Sequence, residues 1–360
     1  MGKKKSDLQL ASSSYVDKYP QFVDAVTHQK QTLFWSHHEI DLEKDKQDLR
    51  FKLNDAQRHA ISFNQLLFTK YEDVVGNEYW CDVVHRRYKN HNVRALALCF
   101  ADVEVNIHFP FYRKVNEVLG THNDEFYKAF ETDPILVERV EFLEKLVSEK
   151  DTLASMAGFA FMEGAVLFTA FAMIKSLGVK GQNSMANLIA GIDFSVLDEN
   201  FHFTTAAEIF LLQKEQEGRS IAEEKELELK IYNHAKYVYE HECIIVDAML
   251  AEGDIPNASK EELKAFARSR INIVLRGLEL EAIFDEDGDT ISEWFYGSMN
   301  SFRLNDNFYT RGRNYVREYN PSDFDIFTDK IWSGDGDSLL QYEDVLKTLN
   351  VNIDPTVQGV

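Results

Sequence analysis

Apolar residues recur at helical spacing along most of this chain, while the strict alternation that marks a half-buried strand is nearly absent. Only six prolines interrupt the pattern. It predicts four long helices at about residues 55–78, 93–119, 152–177 and 184–215, with a kink near Pro110 and a stop at Gly178. Shorter helical patterns cover residues 134–150, 223–251 and 260–284. The expected fold is therefore all-α.

The third of these helices is apolar on every side. Residues 153–174 carry one charge, Glu163, among apolar, small and hydroxylated side chains. Their length would suit a membrane span, but a lone carboxylate at mid-bilayer is costly and no second span accompanies it. A helix of this kind also suits the centre of a large soluble core. We favour the core interpretation and expect no membrane partner.

The charge balance of the 360-residue chain narrows the classes of function. With 39 Lys and Arg against 60 Asp and Glu, the net charge is −21. A net negative charge of this size repels phosphate backbones, so nucleic acid is not expected as a partner. Cys81, Cys99 and Cys243 are widely spaced and odd in number, and no apolar signal segment opens the sequence. These features predict a reducing, cytoplasmic location.

The four long helices contain a weak twofold repeat of residue types. In each consecutive pair of helices, the first carries a lone carboxylate, and the second carries a carboxylate closely followed by a histidine. A dimetal site in a helical bundle requires this set of ligands. A spacing of three or four residues puts both side chains on one helix face. The regular half comprises Glu163 and the pair Glu199 and His202. A buried Glu163 without a partner would be protonated or very costly, so it requires a partner. The structural alternative is a neutral or hydrogen-bonded glutamate of the core.

The N-terminal half of this repeat is less regular. Glu104 and His108 are four residues apart, and Val105 occupies the place where a spacing of three would put the carboxylate. A π-bulge could absorb the extra residue. On the first helix Glu72 and Asp73 compete, and we choose Glu72 because the apolar positions 68, 71 and 75 lie nearer to it on a helical wheel.

Other clusters of polar residues have simpler explanations. Asp82 and His85 share the ligand spacing but lie beside two arginines, so we expect a solvated surface. The acidic run 285–289 places its glycine too early for a calcium loop and is expected to be a surface turn. His234 and His241 lie on a later helix, and their default role is structural.

Several segments resemble the small subunit of class I ribonucleotide reductases. Residues 106–112, NIHFPFY, resemble the family segment in which a histidine ligand precedes the radical tyrosine by four positions, here His108 and Tyr112. Residues 198–202, DENFH, and 162–164, MEG, are similar to the motifs of the fourth and third family helices. Residues 33–35, LFW, resemble the N-terminal tryptophan segment. The match spans about residues 30–205.

The resemblance implies a ferritin-like bundle that forms a homodimer and works with a large subunit, which binds nucleotide and reduces the ribose. It implies two metal ions, iron in the first place, with manganese or a mixed pair as alternatives. The implied ligands are Glu72, Glu104, His108, Glu163, Glu199 and His202. Reaction with oxygen would oxidise Tyr112 to a stable radical. Trp35, Asp198 and His108 would begin an electron and proton relay toward the large subunit, and Tyr342 is the candidate relay tyrosine of the tail.

The expected organisation is a flexible N-terminus at 1–14, a ferritin-like dimetal domain at 15–332 and a flexible tail at 333–360. Two alternatives stay open. Another ferritin-like oxidase or hydroxylase would use the same ligands on a small organic substrate but would need neither Tyr112 nor Trp35. A non-catalytic iron-binding protein would not need the helices after Glu215. Tyr112 and these later helices favour the reductase subunit.

Overall fold

Helices account for the regular structure of the chain in the computed structural model, which describes residues 4–297. The longer helices are α1 (Pro20–Gln31), α2 (residues 55–87), α3 (residues 91–119), α4 (Pro134–Val147), α5 (Thr152–Ser176), α6 (Ala186–Glu217), α7 (Ile221–Met249) and α8 (Lys260–Gly277). Short helical turns lie at Asp7–Gln9, His37–Glu39, Leu42–Asp45, Lys46–Phe51, Asp124–Tyr127 and Ala129–Thr132. A further helix begins at residue 292. The predicted all-α fold class is confirmed.

Three of the long helices contain a π-helical segment, in which a turn holds one extra residue. In α2 the segment Val74–Val84 lies between Asp55–Asp73 and His85–Arg87. In α3 the segment Glu104–His108 lies between His91–Val103 and Phe109–Leu119. In α5 the segment Met162–Val166 separates Thr152–Phe161 from Phe168–Ser176. The irregularity predicted near Pro110 is therefore a π turn that ends just before it.

Helix boundaries follow the capping residues of the sequence. Asn54, Ser220 and Ser259 each form a reciprocal capping box at the starts of α2, α7 and α8. Two predicted boundaries differ from the structure. Helix α2 continues past residue 78 to residue 87 through its π segment. Helix α8 ends at Gly277 rather than near residue 284, and the backbone turns left-handed at Glu279, where φ is 59°.

Helix α5 forms the centre of the core. Thr152–Ser176, 25 residues long, is apolar enough to cross a membrane by length and composition, yet its most apolar window is 100% buried inside the protein. Close packing requires glycine here, because a Cβ on Gly158 would lie 2.2 Å from the Leu146 carbonyl oxygen of α4. Burial against α4, α6, α7 and α8 supports the interpretation of this helix as a core element.

Part of the N-terminal segment packs against the bundle. Leu8 is fully buried, and the amide of Asp7 donates to Gln216 Oε1 on α6 at 2.8 Å. Further along, the segment after α1 carries Trp35 into the core, where it is 1% exposed. The residues expected to be flexible at 1–14 thus include a short packed stretch.

Candidate metal centre

Six buried side chains from α2, α3, α5 and α6 converge inside the bundle, and they are the six candidate ligands chosen from the sequence. They form two groups in which the potential ligand atoms lie within 4.8 Å of one another. The first group is Glu72, Glu104, His108 and Glu199, and the second is Glu104, Glu163, Glu199 and His202. Glu104 and Glu199 belong to both groups, so their carboxylates stand between two candidate metal positions.

Helix α2 turns Glu72 inward and Asp73 outward. Glu72 is fully buried, and its Oε2 lies 3.5 Å from His108 Nδ1. Asp73 is half exposed, and its Oδ2 pairs with Lys70 Nζ at 3.4 Å. The structure therefore brings Glu72, and not Asp73, together with the other candidate ligands.

The π-helical segment of α3 explains the spacing of four residues between carboxylate and histidine. Glu104 Oε2 lies 2.8 Å from His108 Nδ1, and Glu104 Oε1 lies 2.7 Å from His202 Nδ1. Val105 is half-buried and points toward α2, where a Cβ on Gly76 would lie 2.7 Å from its Cγ2. Glu104, and not residue 105, is therefore the position of this segment that brings a carboxylate to the cluster.

Helices α5 and α6 complete the second group. Glu163 Oε1 accepts a hydrogen bond from Trp80 Nε1 at 2.6 Å. His202 Nδ1 lies 3.9 Å from both Glu163 Oε2 and Glu199 Oε2. Trp80 was not selected from the sequence, because it lies in the π segment of α2, where a helical wheel for a regular α-helix misplaces side chains. No other signal in the sequence marks it.

The donor set fits a pair of divalent cations. Both oxygens of Glu72, both oxygens of Glu199 and Oε2 of Glu163 are buried without a hydrogen-bond partner among the described residues. Buried polar atoms in folded proteins nearly always have such a partner. Four carboxylates would balance the charge of two divalent ions, and each group contributes one imidazole.

Burial and mutual proximity shift the pKa values of the clustered carboxylates. Burial, and then repulsion from neighbouring carboxylates, raises the pKa values of Glu72 and Glu163 well above their ordinary value. Burial alone would also raise the pKa of Glu104, but the imidazoles of His108 and His202 hold it below its usual range. Metal cations replacing these protons would relieve the repulsion.

Tyr112 lies one turn after His108 and is packed against aromatic rings. Its side chain is fully buried, and its ring stacks on Phe68 with centroids 4.6 Å apart. The Ser195 hydroxyl of α6 interacts with the Tyr112 hydroxyl. Burial, and then the Glu72 carboxylate, raises the pKa of Tyr112 well above 10. The phenol is therefore protonated at neutral pH.

Asp198 joins the candidate metal centre to the N-terminal segment. Its Oδ2 accepts hydrogen bonds from Trp35 Nε1 at 2.8 Å and from His108 Nε2 at 3.0 Å. Its Oδ1 accepts from Gln29 Nε2 at 2.7 Å. The three residues expected to begin a relay are thus in direct contact. Gln29 was missed, because nothing in the sequence distinguishes it from the other polar residues of α1.

The remaining sequence candidates lie away from the cluster. Asp82 pairs with Arg86 on an exposed face, and the backbone at the acidic turn 285–289 accepts hydrogen bonds from Arg268. His241 stacks on a phenylalanine ring in the core. Tyr342, with the whole tail 333–360, lies outside the described residues.

Comparison with known sequences identifies a family. The sequence model described as "Ribonucleotide reductase, small chain" matches residues 15–291. The ribonucleoside-diphosphate reductase small subunit of Dictyostelium discoideum is 29% identical over 168 residues, which are 45% of this chain and 46% of that protein. The corresponding small chain of Neurospora crassa is 26% identical over 189 residues, 49% of this chain and 43% of that protein. The matched region therefore spans less than half the length of these relatives.

Solved structures share the fold at lower identity. Dimanganese(II)-NrdF from Streptococcus sanguinis has a TM-score of 0.69 and 19% identity, covering 78% of this chain and 96% of that one. The Rnr4 homodimer from Saccharomyces cerevisiae has a TM-score of 0.66 and 16% identity, covering 83% and 93%. The fold is that of the ferritin-like helical proteins. Within that class, the match over residues 15–291 shows that the chain belongs to the ribonucleotide reductase small-chain family.

Proposed function

We propose that this chain is the radical-generating small subunit of a ribonucleoside-diphosphate reductase. The observation that carries the proposal is the position of Tyr112, a fully buried phenol one turn from His108 and within the electrostatic influence of Glu72. Neither a hydroxylase nor an iron-storage protein requires a tyrosine so placed. Two bound metal ions, iron in the first place, with manganese or a mixed pair as alternatives, would supply with oxygen the oxidising equivalent for this tyrosine.

The residues around the site would each contribute to holding that oxidised state. Glu72 and His108 would help to hold one ion and Glu163 and His202 the other, and Glu104 and Glu199, which belong to both groups, could contribute to either. The full burial of Tyr112 and the stacked Phe68 ring would keep water and reductants away. Such exclusion prevents side reactions of a reactive centre.

The relay residues would connect this site with a large subunit. Asp198 accepts hydrogen bonds from Trp35 and His108, so electron transfer at the indole can be coupled to proton movement through the carboxylate. The C-terminal tail with Tyr342 would dock on the large subunit and continue the relay. We also infer a homodimer, as in the Rnr4 structure. The three free cysteines suit a cytoplasmic protein.

Electron paramagnetic resonance tests the proposal. The metal-free protein is loaded with ferrous iron without oxygen and then exposed to oxygen, in the wild type and in Tyr112→Phe. Tyr79→Phe is the matched control, because Tyr79 is also buried and its hydroxyl makes only a long contact of 3.4 Å with the Ser155 carbonyl. We expect a tyrosyl signal in the wild type and in Tyr79→Phe, and none in Tyr112→Phe.

Other outcomes contradict parts of the proposal. A tyrosyl signal that persists in Tyr112→Phe would place the radical elsewhere. Two bound metals without any signal, with iron and also with manganese, would favour the oxidase alternative. Failure to bind two metals would contradict the dimetal centre itself.

A further inference from the structure

Buried side chains from other helices hold the π-helical segment of α5, the segment that carries Glu163. A π turn departs from the regular hydrogen-bonding ladder, and buried carbonyl groups require donors. Three carbonyls of the segment accept such bonds. The donor and acceptor residues are Tyr71 to Met162, Arg270 to Gly164, and Arg139 to Val166.

Arg270 differs from the other two donors because it reaches two helices of the site at once. Its Nε donates to the carbonyl of Gly164, the residue after Glu163 on α5. Its Nη2 donates to Asn200 Oδ1 at 2.9 Å, and Asn200 follows Glu199 on α6. One planar guanidinium therefore ties together the backbone positions next to two of the candidate metal ligands.

Arg270 is buried and has no carboxylate partner among the described residues. Its side chain is 1% exposed, and the guanidinium carbon lies 3.7 Å from the ring centroid of Phe168. Among the described residues, no carboxylate lies within ion-pair distance of Arg270. Buried Arg139, by contrast, pairs with Glu242 at 2.7 Å. A buried guanidinium without a paired carboxylate is uncommon. Here it is held by an aromatic ring, the Gly164 carbonyl, the Asn200 amide oxygen and, through Nη1 at 3.2 Å, the Tyr296 hydroxyl.

We propose that Arg270 is a positioning residue for the second metal position, the one formed by Glu104, Glu163, Glu199 and His202. This inference rests on the proposed dimetal function. By fixing Gly164 against Asn200, Arg270 fixes the distance between the carboxylates that precede them. Outer partners of this kind typically contribute 10- to 100-fold to metal affinity. Glu163 belongs to the second group alone, whereas Glu199 belongs to both groups. The contact at Gly164 therefore acts on the second metal position alone, and the first position, which shares only Glu199, should depend less on Arg270.

The test is a titration of the metal-free full-length protein with Mn²⁺, in which electron paramagnetic resonance measures the free ion. Arg270→Lys keeps the charge but replaces a planar fork with a single ammonium group, which cannot reproduce both contacts. We expect about 10- to 100-fold weaker binding at one of the two positions and a smaller loss at the other, which shares Glu199. Arg219→Lys is the matched control, because Arg219 is 3% exposed and binds Asp151 with two nitrogens away from the cluster.

The outcomes separate this inference from the proposed function. A wild-type protein that fails to bind two Mn²⁺ ions would contradict the dimetal function. A wild type that binds two, together with Arg270→Lys binding two at unchanged affinity, would overturn the role of Arg270 alone. Equal weakening of both positions, or the same loss in Arg219→Lys, would also overturn it, because either result indicates general destabilisation.

A second variant covers the case in which Arg270→Lys does not fold, as judged by circular dichroism. Asn200→Ala removes only the contact on α6, and Asn200 is half-buried rather than buried. We expect it to weaken Mn²⁺ binding by about 10-fold, the lower end of the range for outer partners. Unchanged Mn²⁺ binding in a folded Asn200→Ala protein would overturn the proposal.

Discussion

Replacing Asp198 with leucine should destabilise the metal-free protein by about 3 kcal/mol or more. Leucine keeps the branched shape of the side chain but removes both acceptor oxygens. Three donors then lose their partner: Trp35 Nε1, His108 Nε2 and Gln29 Nε2. Their side chains are 1%, 0% and 2% exposed, so water cannot replace the carboxylate. Each unsatisfied buried donor costs about 1–3 kcal/mol, which sets the lower limit of about 3 kcal/mol.

Asparagine at the same position separates the loss of acceptors from the loss of charge. Its remaining oxygen can still accept from Trp35 and His108. Its amide can donate to Gln29 Oε1, which has no hydrogen-bond partner within residues 4–297. We expect Asp198→Asn to cost about 1 kcal/mol, the typical net value of one hydrogen bond.

Urea unfolding of the metal-free protein, followed by far-ultraviolet circular dichroism, measures both free energies by linear extrapolation. A leucine variant within about 1 kcal/mol of the wild type would refute the assignment of Asp198 as a three-way acceptor. If both variants lost the same large amount of unfolding free energy, the negative charge of Asp198, rather than the number of hydrogen bonds it accepts, would be what stabilises its contacts.

Three further outcomes are expected. Gly158→Ala should lower the free energy of unfolding by about 1–3 kcal/mol in urea titrations, because its Cβ would lie 2.2 Å from the Leu146 carbonyl oxygen; unchanged stability would contradict the close packing of α4 on α5. Glu163→Ala should abolish binding of two metals per chain, and metal analysis that still finds two would contradict the site. Lowering the pH from 7.5 to 5.5 should cost about 1 kcal/mol at His241, because burial, and then a nearby guanidinium, lowers its pKa to about 3. The unfolded chain takes up this proton near pH 6.5 and the folded protein does not, so the free energy of unfolding falls as the pH drops from 6.5 toward 3. A His241→Phe protein whose free energy of unfolding depends on pH in the same way as the wild type would refute this.

The candidate ligands could be chosen from the sequence because their spacing is a local property of helices. Glu199 and His202 share a face of α6 at a spacing of three. The helical wheel also separated Glu72 from Asp73, since α2 is regular up to Asp73. The spacing of four between Glu104 and His108 required a π turn, and the structure contains one at those residues.

The residues that support the ligands could not be chosen in this way. Trp80, Gln29 and Arg270 reach their partners across 83, 169 and 106 positions of the chain. Contacts of such separation depend on how the helices pack, and no periodicity within one helix encodes them. The continuation of α2 to residue 87 was missed for a related reason, because a long π segment departs from the 3.6-residue repeat on which the prediction rested.

The segment that carries Gln29 and Trp35 has a consequence for the order of folding. Its bonds to Asp198 close loops of 169 and 163 positions, whereas α7 and α8, adjacent in the chain, pack on each other. Long loops cost more entropy to close and form later than local contacts. We therefore expect this segment to dock on an assembled bundle and to detach first in partial unfolding. Under the proposed function, a bundle with this segment detached would lack Trp35 beside Asp198, so docking of the segment would determine when an oxidised Tyr112 could exchange an electron with the large subunit.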